Sequence, residues 1–182
     1  MAHAITALRL LAVVPAAWAF SRPEHVSPWV LAFILVVAIV SDLVDGKIAR
    51  RTGSASAGGM LFDHTTDCLF VTAGLAGAAM AGQLPMVLPV LVPIAFGQYV
   101  LDSYFLHRQR QLRMSSLGRW NGVFYFAPLV MMAIAALHLP GLSALAQLLV
   151  RPCAVLLALS TVASIVDRAL APVRASAGAG AR

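Results

Sequence analysis

Charge is scarce in this chain. Of its 182 residues, 11% are Asp, Glu, Lys or Arg, and 60% are hydrophobic. A soluble domain of this size would carry about twice that charged share, so the shortage excludes an ordinary water-soluble globule and reads as a membrane protein. Acid is scarcer still, with seven Asp and Glu against 13 Lys and Arg, a net charge of +6. That excess could suit nucleic acid. The basic residues, however, lie in short loops between apolar runs, which is the pattern of membrane topology, so no nucleic-acid partner is expected. Cysteine is almost absent. Cys68 and Cys153 both fall in apolar segments, which excludes a disulfide framework and any zinc-type spacing. The length leaves no room for a second domain, so residues 1–182 are expected to form one transmembrane domain. No internal repeat is evident, and the Ala/Gly-rich tail, 172–182, is expected to be disordered.

The few acids are not scattered. Four of the seven lie in residues 42–67, as Asp42, Asp45, Asp63 and Asp67. A carboxylate near a bilayer core is costly, so such a cluster marks a functional site. At about 100° per residue, Asp42, Asp45 and Ala49 share one helix face, and Gly59, Asp63 and Asp67 share another. Between them, Arg51 to Ser56 can reverse the chain, with Gly53 as breaker and Ser54 or Ser56 as cap. The two stripes can then face each other. Two unit charges about 4 Å apart repel by about 4 kcal/mol at an effective dielectric near 20. Four such groups therefore need cations among them. Oxygen-only ligands suit Mg²⁺ or Mn²⁺, and two such ions clamp a phosphoryl transfer well.

Written as a pattern, the stretch is D-x2-D-G-x2-A-R-x8-G-x3-D-x3-D, and it resembles the signature of the CDP-alcohol phosphotransferase family. Asp42, Asp45, Gly46, Ala49, Arg50, Gly59, Asp63 and Asp67 each stand at a signature position. The resemblance implies an integral membrane transferase of phospholipid biosynthesis. It would move a phosphatidyl group from CDP-diacylglycerol to a small hydroxyl acceptor and release CMP. It further implies that Asp42, Asp45 and Asp63 hold two divalent metal ions, Mg²⁺ or Mn²⁺, and that Asp67 helps hold one and takes the acceptor's proton. Gly46, Ala49, Arg50 and Gly59 would receive the CDP-lipid, with Arg50 forking onto a phosphate. A homodimer is a further implication of the resemblance. For the acceptor, glycerol 3-phosphate is the first expectation and inositol phosphate the alternative. Arg119, Arg113 and Arg110, with Arg9, are the candidates to bind it.

Other readings of the same acids fit less well. A membrane prenyltransferase also pairs Asp-rich motifs with Mg²⁺, but it usually needs more helices and lacks the Gly-x-x-Ala-Arg continuation. A small cation carrier or channel has no need of Arg50 beside its cation site.

Apolar runs predict an all-α, polytopic membrane protein with six transmembrane helices, at residues 4–20, 28–50, 57–81, 84–107, 119–138 and within 143–170. The first run could pass for a signal peptide, but Ile5-Thr6-Ala7-Leu8-Arg9 resembles the family's opening and favours a retained helix. Arg9 would then reach a phosphate, or snorkel to head groups. Pro85, Pro89 and Pro93 predict a kink at the start of the fourth helix. Asp102 reads as a local partner of Arg108 or of a hydroxyl, and His64 as a helix-face histidine. Arg151-Pro152 could start the last helix, leaving 143–150 along the interface. With six crossings both ends share one side. Lys47, Arg50, Arg51, the arginines of 107–119 and Arg168 would also lie there, which places the Asp motif on the cytoplasmic face of the cell membrane.

Overall fold

The computed structural model describes the backbone of residues 2–51, 57–101 and 116–179, and the side chains of 6–44, 58–101 and 117–170. Among the described residues the fold is all helical, with no strand: α1 (Ala2–Leu11), α2 (Val13–Ser21), a 3₁₀ turn (Pro23–His25), α3 (Pro28–Arg51), α4 (Ala57–Met80), α5 (Val87–Leu101), α6 (Ser116–Phe124), α7 (Phe126–Ala136) and α8 (Leu142–Ala179). Two of the joints barely interrupt the helix. Ala12 keeps right-handed helical angles between α1 and α2, and Tyr125 does so between α6 and α7. The backbone bonds Ala16 N–H to Ala12 O and Tyr125 N–H to Asn121 O carry the ladder across them. The described residues thus make six rods, in the expected order.

Rod count and membrane crossing are separate matters. Among the described residues, one helical stretch, Leu142–Leu170, is long and apolar enough to span a bilayer; Thr6–Ser21, Pro28–Val44 and Val87–Leu101 are shorter apolar helices. Six transmembrane helices therefore do not follow from the length and composition of the described helices. Large apolar side chains nonetheless point outward, among them Trp29 at 71%, Phe33 at 67% and Leu148 at 71% exposed. An apolar outer surface on this scale marks a membrane-facing or partner-facing body.

α8 corrects two expectations. It is unbroken through Arg151 and Pro152, so 143–150 belongs to the same helix. Arg151 turns from it to donate Nη2–H to the Gly82 carbonyl at 2.7 Å. Gly82, at φ +71°, ends α4 in a conformation that glycine adopts without a Cβ clash. The helix also runs through Ala179 and takes in most of the tail expected to be disordered. Alanine has the highest helix propensity of any residue, and alanines occupy 171, 175, 177 and 179.

α4 lies at the centre, packed against α1, α2, α5 and α7. Phe20, Phe70, Leu75, Leu88 and Leu129 are fully buried around it. Its small residues set the approach of α2. A Cβ on Gly77 would run into the Ala17 carbonyl oxygen and stand 3.1 Å from the Ser21 nitrogen, both backbone atoms. A Cβ on Gly74 would meet only the Leu129 and Phe20 side chains, at 3.0–3.5 Å. Replacing Gly by Ala gains at most about 1 kcal/mol of helix propensity, whereas overpacking costs about 1–3 kcal/mol. Gly77→Ala is therefore expected to lower the thermal unfolding temperature in detergent clearly, and Gly74→Ala much less; equal behaviour of the two would contradict backbone contact at Gly77.

Candidate active site

Three rods converge on the acidic motif. α3 presents Ser41 and Asp42, α4 presents Asp63, His64 and Asp67, and α1 presents Arg9. The i, i+4 spacing on α4 puts Asp63 and Asp67 on one side of that helix, and the packing of α1 against both α3 and α4 brings Arg9 between the two stripes. Arg9 is only 2% exposed. Its Nη1 lies 3.6 Å from Asp42 Oδ1 and 3.3 Å from Asp63 Oδ1, and it also donates to Asp67 Oδ1. Its Nε–H donates to Ser41 Oγ at 3.3 Å, and Ser41 in turn donates to the Ala38 carbonyl at 2.8 Å. A buried guanidinium is tolerable only with such partners, and three carboxylates supply them.

The carboxylates themselves are not sealed in. The side chains of Asp42, Asp63 and Asp67 are 40%, 23% and 22% exposed. Arg9 thus meets them from the closed side of the site, and their other side is open. There His64 joins them: ligand atoms of Asp63, His64 and Asp67 lie within 4.8 Å of one another. The two carboxylates of α4 gathered this closely and partly open, with Asp42 of α3 on the same arginine, fit a hard divalent cation. The imidazole adds a nitrogen donor that the spacing argument had left as a plain helix-face histidine.

Asp42, His64 and Asp67 also line a cavity of about 500 Å³. Its apolar wall includes Ile39, Val71, Val92, Phe96 and Phe126. α5, α6 and α8 contribute polar groups, namely Gln98, Tyr99, Arg119, Ser164 and Arg168. Arg168 stacks over the Tyr99 ring with its guanidinium carbon 5.3 Å from the centroid. Polar bonds fix the walls. Thr161 donates to the Leu157 carbonyl at 2.7 Å, so its oxygen accepts from Tyr125 O–H at 2.8 Å. Ser160 donates to Asn121 Oδ1 at 2.7 Å, and Gln98 Nε2 donates to the Ile165 carbonyl at 3.0 Å. Together these tie α5 and the α6–α7 rod to α8.

Of the residues the sequence singles out, Asp42, Asp63 and Asp67 come together, and exposed Arg119 reaches their cavity. Arg9 is placed on the carboxylates and is not among the residues lining the cavity. Gly59 lies on α4, four residues before Asp63. The side chains of Asp45, Ala49 and Arg50, and Gly46 with them, lie outside the described residues, as do Asp102, Arg108, Arg110 and Arg113 and the Ser54 turn. Arg168 is the cavity residue that spacing left unassigned. Ser160, Ser164 and Arg168 recur every four residues on an otherwise apolar helix, a stripe that could have flagged it.

Comparison with known proteins agrees with this site. A family model for CDP-alcohol phosphatidyltransferase matches residues 1–168. A CMP-forming cardiolipin synthase of Streptomyces coelicolor is 36% identical over 93 residues, which is 48% of this chain and 43% of that protein. A probable phosphatidylglycerophosphate synthase of Mycobacterium tuberculosis is 30% identical over 177 residues, 93% of this chain and 81% of that protein. Choline/ethanolaminephosphotransferase 1 of Arabidopsis thaliana is 40% identical over 67 residues, 35% of this chain and 17% of that protein. No solved structure matches the chain. A match that takes in nearly the whole chain, together with the facing carboxylates of α3 and α4, settles its kinship: the protein belongs to the CDP-alcohol phosphatidyltransferase family.

Proposed function

We propose that this protein transfers the phosphatidyl group of CDP-diacylglycerol to glycerol 3-phosphate, releasing CMP. The observation that carries the reading is the charge on the cavity wall, with Asp42 and Asp67 on it from α3 and α4 and Arg119 and Arg168 on it from α6 and α8. The near full-length likeness to a phosphatidylglycerophosphate synthase favours a phosphorylated acceptor over a bare alcohol.

Asp42, Asp45, Asp63 and Asp67 would hold two divalent cations, Mg²⁺ or Mn²⁺. Bound there, such ions screen the diphosphate and stabilise CMP as it leaves. The chain's own groups do the rest. Asp67, at the cavity wall, takes the proton of the acceptor hydroxyl as its oxygen bonds to phosphorus and the bond from that phosphorus to the CMP oxygen breaks. Arg50 pairs with a phosphate of the CDP group, and Gly46, Ala49 and Gly59 let the nucleotide approach the backbone. Arg119, with Arg110 and Arg113 before it in the sequence, holds the acceptor's phosphate. The apolar wall receives the first part of the lipid, and its chains stay in the bilayer.

The family makes phospholipids at membranes, and the outward apolar side chains of α3 and α8 suit that setting. On our reading all six rods cross the bilayer as a single domain, both termini and the Asp motif face the cytoplasm, and two copies pair. The positive-inside asymmetry of Lys47, Arg50, Arg51 and Arg168 against Arg22 supports this orientation.

Four outcomes follow. Purified protein given CDP-diacylglycerol and Mg²⁺ should prefer glycerol 3-phosphate to glycerol, serine or inositol, and lose all turnover in EDTA. Arg119→Ala should raise the acceptor KM about tenfold, the worth of one charge-assisted bond, and leave the CDP-lipid KM nearly unchanged; parallel drift of both KM values would speak against this contact. Asp67→Asn should retain CDP-diacylglycerol binding in Mg²⁺ but lose the chemical step. If binding falls with turnover, Asp67 is mainly a ligand and the base lies elsewhere. Finally, a cysteine placed at Ser54 should react with an impermeant thiol reagent from the cytoplasmic side only, and one at Ser21 from the outer side only.

A further inference from the structure

We infer that Arg9 is a positioning residue for the metal-binding carboxylates, a cationic brace that fixes the separation of the α3 and α4 stripes and so sets their affinity for divalent ions. The inference rests on the proposed metal site but not on the acceptor.

Four observations lead there. Arg9 bonds to both stripes at once, to Ser41 and Asp42 on α3 and to Asp63 and Asp67 on α4. Its side chain is 0% exposed whereas the three carboxylates are 22–40% exposed, so it lies behind them and not in front. Each carboxylate turns one oxygen towards the same nitrogen, Nη1. And α1, which carries it, packs against both α3 and α4. A guanidinium is suited to this place. It stays charged at any working pH, and its planar fork offers donors in several directions, with Nη1 serving the carboxylates and Nε the serine. The Ser41 bond matters because Ser41 is anchored to its own helix through the Ala38 carbonyl. It registers the arginine against α3 independently of the acid.

The consequence is directional. Without the brace, like charges on facing helices push the stripes apart, and ions that must be clasped from both sides lose part of their ligand set. Groups that orient metal ligands are typically worth about 10–100-fold in metal affinity. The alternative, that Arg9 merely competes with cations for the carboxylates, predicts the reverse: its loss would tighten metal binding.

The test is Mn²⁺ binding to full-length protein in detergent, read from the EPR signal of free Mn²⁺, with no substrate present. Arg9→Gln should weaken binding at least about tenfold, and Arg9→Lys, which keeps the charge but not the fork, by a smaller factor. Gly77→Ala, which disturbs packing away from the carboxylates, serves as the destabilised control and should keep wild-type Mn²⁺ affinity. Unchanged or tighter Mn²⁺ binding in Arg9→Gln overturns the inference, and so does an equal loss in Gly77→Ala. If Arg9→Gln does not fold, Arg9→Lys decides: folded protein with wild-type affinity overturns it, weakened affinity supports it. If wild-type protein binds no Mn²⁺ at all, the proposed metal site fails as well, which separates that failure from failure of the brace.

Discussion

Facing carboxylates in an apolar helix bundle repel one another, and everything around α3 and α4 answers to that repulsion. Each close pair costs about 4 kcal/mol at an effective dielectric near 20, and a bundle that is mostly Leu, Val and Ala has little to offset it. Among the described residues Arg9 brings a cation to them, and its side chain is completely buried. The dependence is mutual, because a buried guanidinium without acids would be as costly as the acids without it. It also extends outward through the fold. α1 must stay on both stripes, and α1 runs on into α2 through the helical Ala12. α2 in turn is seated where Gly77 lets its backbone touch α4. That contact lies about three turns from the acids, and the bonds of Arg9 to Ser41 and to the carboxylates hold α1 on the stripes independently of it.

The motif spacing was the most legible part of the sequence. Helical periodicity assigns Asp42 to one stripe and Asp63 with Asp67 to another, and those three side chains do meet. It could not say what crosses between the stripes. From the sequence Arg9 reads as a residue that reaches a phosphate or snorkels to head groups; the fold sets it on Ser41 and the three carboxylates. Periodicity within one helix carries no information about which other helix lies against it. His64 reads from its spacing as a helix-face histidine, yet its ring lies with the ligand atoms of Asp63 and Asp67 within 4.8 Å of one another. The tail shows a different limit. Its Ala/Gly composition was read as disorder, yet an established helix propagates into alanine at little cost, since nucleation has already been met.

Six rods were readable from hydropathy, and their joints were not. Ala12 and Tyr125 look like ordinary helix interior in the sequence, and they almost are, since both keep helical angles. What distinguishes Tyr125 is its hydroxyl, which must find a partner when buried. Thr161 provides it. This bond, the Ser160–Asn121 bond and the Gln98–Ile165 bond all end on α8. Such polar ties suit a bundle whose outer face is apolar, because apolar packing alone gives little preference for helix over lipid.

On the proposed reading, the charges along the cavity follow from the substrates it must admit. A carboxylate wall attracts metal ions but repels any anionic acceptor, and both CDP-diacylglycerol and glycerol 3-phosphate carry phosphate. Neutralising the acids locally, by Arg9 behind and divalent ions in front, serves the donor, whose diphosphate lies against them. It does nothing for an acceptor phosphate in the same cavity. That phosphate needs positive charge of its own, on elements that do not carry the motif, or the acceptor would be held only through its reacting hydroxyl. Arg119 on α6 and Arg168 on α8 meet that requirement. Arg168 is further steadied by the Tyr99 ring beneath it, so one of the two cations is held in place by stacking as well as by its helix. A cavity lined by acids from α3 and α4 and by arginines from α6 and α8 offers both signs of charge, and that suits an acceptor that brings both an anion and a reacting hydroxyl.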